Sequence, residues 1–108
     1  MSEYIEYLKE VFSEFGAIRS RAMFGGHGLY HEDVMIGLVL DDTLYLKIDD
    51  DSVHHFEERE LPQFIYDKGD RRVGTSYYQA PEEALEDPSE MREWASRAYR
   101  AALRSRKQ

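Results

Sequence analysis

The sequence predicts an α+β domain, a five-stranded antiparallel sheet with helices packed on it. Three observations carry that expectation. Apolar residues recur at helical spacing near the two ends and in one short central stretch, strand-length apolar segments fill the rest, and those segments are joined by connections of two or three residues. Strands joined so tightly form antiparallel hairpins.

Tyr4, Ile5, Leu8, Val11, Phe12 and Phe15 share one face of a first helix, which is expected to start behind a Ser2 cap and to stop before Gly16. Arg19 to Phe24 reads as a strand leading into the glycine cluster Gly25, Gly26 and Gly28, and Leu29 to His31 resumes it. Asp33 starts a turn. Val34 to Leu40 is a nearly continuous apolar run, suited to a central strand. Asp41 and Asp42 form a two-residue turn, after which Leu44, Leu46 and Ile48 alternate along the second arm of a hairpin. Asp49 to Ser52 reads as an acidic capping cluster for a short helix that carries Val53 and Phe56, ends near Glu60 and is closed by Pro62. Gln63 to Asp67 and Arg71 to Tyr78 flank the turn Lys68, Gly69, Asp70, giving a second hairpin. Pro81 begins a helical turn. Asp87, Pro88 and Glu90 then supply a cap, a proline at the first helical position and an acid three residues after the cap. Met91, Trp94, Ala95, Ala98 and Ala102 continue at three- and four-residue spacing, so the last helix lays a small-residue face on the sheet. The expected order is α-β-β-β-α-β-β-α in a single domain over residues 1–108.

The 108 residues can bury a modest core, and 42% hydrophobic with 13% aromatic content favours a folded globule over a disordered chain. The absence of cysteine removes disulfides and thiolate metal sites, and no secretory signal or membrane-spanning run is present, so the expected setting is the cytoplasm. Charge is unevenly placed. Residues 1–96 hold all 22 carboxylates and nine of the 14 Lys and Arg, while the last twelve residues hold five basic side chains. A body this acidic would repel a polyanion, which argues against autonomous nucleic-acid binding. Arg97, Arg100 and Arg104 are expected instead to compensate the carboxyl end of the last helix.

The residues also resemble a known family. Arg21, Met23-Phe24-Gly25-Gly26 and Gly28-Leu29-Tyr30 come first, followed by Asp42 to Lys47 with Asp49, by Phe64 and Tyr66, by Ser76-Tyr77-Tyr78, Pro81-Glu82-Glu83 and Trp94-Ala95. Together they are similar to the amino-terminal domain of the TfoX/Sxy family, bacterial regulators of natural competence. The resemblance implies a fold like that of secretion chaperones. It also implies a transcriptional co-regulator whose partner is a transcription factor or an RNA polymerase component. Competence regulators of this type carry a second, carboxy-terminal helical domain, and this chain ends shortly after its last predicted helix, so a stand-alone domain is expected.

No catalytic constellation is visible, no cofactor is called for, and the expectation is a protein that is not an enzyme. Gly25, Gly26 and Gly28, with Arg21 and His27, raise the possibility of an anion cradle. The segment lacks the Lys-Ser/Thr ending of a P-loop, and the strand expected after it makes a bend or bulge the better reading. His27 and His31 lie about 13 Å apart along a strand, and His54 and His55 diverge on a helix, so no metal site is expected. Asp49, Asp50 and Asp51 lack the glycine and terminal Glu of a calcium loop, and Ser76 lacks a base. Tyr77 and Tyr78 are consecutive in a strand and face opposite sides of the sheet, so one of them is a candidate interface anchor. Three functional readings stand: a protein-interaction domain in transcriptional regulation, a chaperone-like homodimer, and a small anionic-ligand binder.

Overall fold

The fold follows from where the apolar residues fall, and it was obtained as a computed structural model that describes residues 3–23 and 25–106. The cap expected at Ser2, the strand end at Phe24 and the basic Lys107 lie outside those residues. Helix α1 (Glu3–Val11) buries Ile5, Leu8 and Val11, and a single 3₁₀ turn (Phe12–Glu14) adds Phe12 to the same stripe. Strands β1 (Arg19–Met23), β2 (Gly26–His31), β3 (Val34–Leu40) and β4 (Thr43–Lys47) then run as a meander. A short α2 (Val53–Glu57) follows, and the hairpin β5 (Gln63–Lys68) and β6 (Arg71–Gln79) completes the sheet. Helices α3 (Glu82–Glu86) and α4 (Pro88–Arg106) close the chain.

The α+β expectation holds, with one antiparallel sheet whose strand order is β1-β2-β3-β4-β6-β5. It has six strands rather than five. Met23 pairs with Gly26, so only two residues separate β1 from β2, and Gly25 takes φ +77° in that turn. The glycine segment therefore reverses the chain, where the sequence reading treats it as an interruption in one strand. The next two hairpins also turn on two residues in left-handed conformation, Glu32 with Asp33 (φ 49° and 67°) and Asp41 with Asp42 (φ 51° and 54°). That is the turn whose twist suits adjoining strands.

All helices lie on one face of the sheet. Ile5, Leu8, Phe12, Met91 and Trp94 from the helices meet Leu29, Ile36, Leu44 and Leu46 from the strands in one buried cluster, with Phe56 of α2 wedged against Trp94 at 5.0 Å between ring centroids. Ala95, Ala98, Ala101 and Ala102 are buried along α4, and their small side chains let its 19 residues lie close on β3 and β4. The Asp87 cap forms as expected, one carboxylate oxygen accepting the Ser89 N–H and hydroxyl, each at 2.9 Å.

One expectation at the other capping cluster is overturned. Ser52 occupies the cap position of α2 but makes no side-chain cap bond; its hydroxyl accepts the Asp49 N–H at 3.0 Å instead. The Asp49 carboxylate keeps hydrogen bonding to Ser52 at the start of α2 and also takes a two-pronged bond from Arg104, at 2.5 Å from Nε and 2.9 Å from the terminal nitrogen. Arg104 lies in the last turn of α4, where compensation of the helix end was expected, and also ties that end to the β4–α2 connection. This pairing holds the Asp49 carboxyl down to about 2, chiefly through the Arg104 hydrogen bonds. Arg97 lies in mid-helix, away from the carboxyl end, with its guanidinium 4.8 Å from the Trp94 ring.

Candidate functional site

Strand side chains alternate between faces, so a sheet roofed on one side only displays every second residue on the other. Register fixes which residues these are. Leu46 pairs with Tyr78 on the helix side, whereas Lys47 pairs with Tyr77 on the open side. Tyr78 is packed against Phe56 at 5.9 Å between centroids, inside the cluster beneath the helices. Tyr77 lines a groove on the uncovered face.

That groove encloses about 660 Å³ and is lined almost wholly by apolar atoms. Met23 of β1 and Met35, Leu38 and Leu40 of β3 form one side. Phe64 and Tyr66 of β5 with Thr75 and Tyr77 of β6 form the other, and His27 also borders it. Residues from both edge strands share one groove, which requires a curved sheet. Curvature is supplied where β2 and β3 shift register at Leu29/Tyr30 and where β5 and β6 shift between Gln63 and Ile65. At the second of these, Gln63 Nε2 donates to the Thr75 carbonyl at 2.7 Å and the Thr75 hydroxyl donates to the Phe64 carbonyl at 2.9 Å, so the irregular backbone stays satisfied. Phe64 packs on Tyr45 at 5.1 Å and on Tyr66 at 6.3 Å. Tyr66 is 43% exposed and its neighbour Ile65 39%.

Burial, with the nearby Tyr30, pushes the Tyr77 phenol up to about 12, so it stays protonated at neutral pH. Lys47 lies beside it, its ammonium 5.4 Å from the Tyr77 ring and donating to the Ser76 hydroxyl at 2.6 Å. Desolvation lowers the Lys47 pKa, partly opposed by Asp49.

The five residues considered for an anion site fall together on the β1–β2 hairpin. Gly25 is in the turn, Gly26 and Gly28 follow in β2, and Arg21 pairs across to Gly28 with its guanidinium 5.7 Å from the Tyr30 ring. A strand follows the glycines, and His27 and Gly28 are paired to β1 on one side and to β3 on the other, so their backbone groups serve the sheet. Gly26 is demanded by packing, because a Cβ there would lie 2.1 Å from the Val39 carbonyl oxygen. His27 carries a buried Nδ1 without a hydrogen-bond partner. His31 is held apart from it, with Nδ1 bonded to the Ala17 carbonyl at 2.8 Å and its ring against Phe15 and Tyr99. Among the described residues no group of three His, Asp or Glu side chains gathers as a metal site would, and no helix is long and apolar enough to cross a membrane.

The groove was not predicted as a site. Of the candidate residues only Tyr77 and His27 border it, and the signal that could have found the rest was the run of apolar residues at alternate positions, Leu38 and Leu40 in β3 with Phe64 and Tyr66 in β5.

These features define an α+β domain with one antiparallel sheet, covered by helices on one face and carrying an apolar groove on the other. The chain belongs to the TfoX N-terminal domain family, whose model matches residues 10–102. It is also 33% identical over 82 residues to DNA transformation protein TfoX1 of Aliivibrio fischeri; the match covers 72% of this chain and 39% of that protein.

Proposed function

We propose that the chain is a non-enzymatic protein-interaction domain of the cytoplasm that acts as a co-regulator in DNA transformation, with the open sheet face as its contact surface. The observation that carries this reading is the groove itself. Contiguous apolar surface left exposed on a folded domain usually marks a partner site, and here it sits on a sheet with Tyr66 and Tyr77 available as anchors. Family membership and the name of the Aliivibrio fischeri relative support the regulatory setting. The partner on this reading is a transcription factor or an RNA polymerase component.

A domain exchange tests it. The matching segment of the Aliivibrio fischeri protein is replaced by this chain, and transformation frequency is measured in cells that lack the native copy. Restored transformation that is lost in a Tyr66→Ser, Leu40→Ser double variant is the expected result, with circular dichroism showing both variants folded. Transformation that is unaffected by the double variant would remove the open face from the function. A folded chimera that restores nothing would count against the regulatory role.

A homodimer is the second reading, since the same face could pack on a second copy. Light scattering over a concentration series decides it, a stable dimer abolished by Tyr66→Ser being the supporting result.

A further inference from the structure

We infer that the open sheet face docks an acidic, apolar segment of another protein, in preference to a second copy of this chain or a nucleic acid. This deepens the interaction reading above and rests on it. The groove floor is apolar, but the strand positions around it carry charge of one sign. Arg21 pairs with Gly28, whose missing side chain leaves the space filled by Met23 and Met35 on this face. Lys47 pairs with Tyr77, its ammonium engaged by the neutral Ser76 hydroxyl and the Tyr77 ring. Lys68 pairs with Arg71 two residues on from the Tyr66–Val73 pair, which places both on the face that Tyr66 occupies. Arg19 shares the face but is already bonded to Asp33 at 2.6 Å.

Among the described residues, no strand position on this face carries a carboxylate. The strand acid Asp67 alternates to the other side, where it approaches Arg72 at 4.0 Å, and the remaining acids sit on turns, connections and helices. The chain's net charge is −8, yet its exposed strand positions on this face are basic or neutral. This arrangement fits the general pattern of interfaces, an apolar centre inside a rim whose charge complements the partner.

The layout of the cations selects the occupant. Arg21 is on edge strand β1, Lys47 near the end of β4, and Lys68 with Arg71 at the turn of the β5–β6 hairpin. Arg21 and Lys47 are three strand spacings apart, about 14 Å along the sheet. Cations that far apart do not converge on one small anion; they can bracket a longer segment that lays apolar side chains in the groove and carboxylates over the rim. A second copy packed face to face would bring like charges together around the contact, which disfavours it. Single-stranded nucleic acid needs free ring faces for stacking, whereas Phe64 is already packed between Tyr45 and Tyr66 and the other wall is Met and Leu.

The test is a titration of isotope-labelled protein, read by amide chemical shifts, with three probes. One is a short helix-forming peptide with Leu and Phe on one face and Glu on the other. The second carries Lys in place of every Glu, and the third is a thymidine oligonucleotide. The expected result is binding of the acidic peptide roughly tenfold or more tighter than the basic one, with shifts confined to the open face. An Arg21→Glu, Lys68→Glu, Arg71→Glu variant changes only solvent-facing groups and should invert that preference. Equal or reversed preference in the native chain, tighter binding of the oligonucleotide, no binding of either peptide, or a concentration-dependent dimer across this face would each overturn the inference. Should the domain exchange remain sensitive to Tyr66→Ser, Leu40→Ser while the acidic preference fails, the interaction reading stands and only the assigned chemistry of the partner falls.

Discussion

The two faces of the sheet are built from the same strands, yet they do different work. Leu44 and Leu46 of β4 disappear under α4 at 1% and 0% exposure, while Tyr45 and Lys47, alternating with them, look out on the open side. Residues beneath the helices make the fold stable. Residues above the sheet add area that the fold leaves for something else to cover. A substitution on one face should therefore read out in stability, and on the other in binding.

The largest expected contrast follows. Leu46→Ala removes a fully buried side chain and should cost about 2–5 kcal/mol in urea denaturation, whereas Tyr66→Ser should stay within about 1 kcal/mol. Comparable losses would mean that the open face is part of the core. Next come two glycines of β2. In Gly26→Ala the new methyl meets the Val39 backbone oxygen at 2.1 Å, which cannot move without disturbing the sheet, and about 1–3 kcal/mol should be lost. Gly28→Ala meets the Met23 and Met35 methyls at 2.9 and 3.2 Å, flexible ends that can rotate into the groove, so its cost should be under about 1 kcal/mol. Gly28→Ala should instead weaken partner binding by narrowing the groove. Equal stability losses for the two would contradict this picture.

The smallest effect concerns neither face but the clasp between the ends of β4 and α4. The Asp49 carboxyl is depressed in the folded chain, so its contribution is present above the ordinary carboxylate range and is lost as pH falls through about 4 toward 2. Arg104→Gln should cost on the order of 1 kcal/mol at pH 7, discounted because Arg104 is 41% exposed, and the gap from the native chain should close near pH 2. A gap that persists at pH 2 would point to packing of the arginine stem instead.

Much of the fold was legible in the chain. The α1 stripe, the Asp41-Asp42 turn, the Asp87 cap and the alanine face of α4 are local signals, set by helical spacing or turn chemistry, and each forms where expected. The sixth strand was not, because glycine spacing signals special backbone without distinguishing a bend from a complete reversal; only the Met23–Gly26 pairing decides that. The Asp49–Arg104 clasp joins residues 55 positions apart, and an acidic cluster before a short helix carries no local mark of a distant tie.

Alternation along a strand is a property of the backbone, so the sequence by itself determined that Tyr77 and Tyr78 would part to opposite faces, that the middle of the chain would pair as antiparallel hairpins, and which family it joins. Which face the helices would cover, and that Met23, Met35, Phe64 and Tyr77 would meet in one groove, was decided only by tertiary structure. Those residues come from four strands, and they converge because the sheet bends at two register shifts, one in the β2–β3 hairpin and one in the β5–β6 hairpin, a property of the assembled ladder and of no single segment.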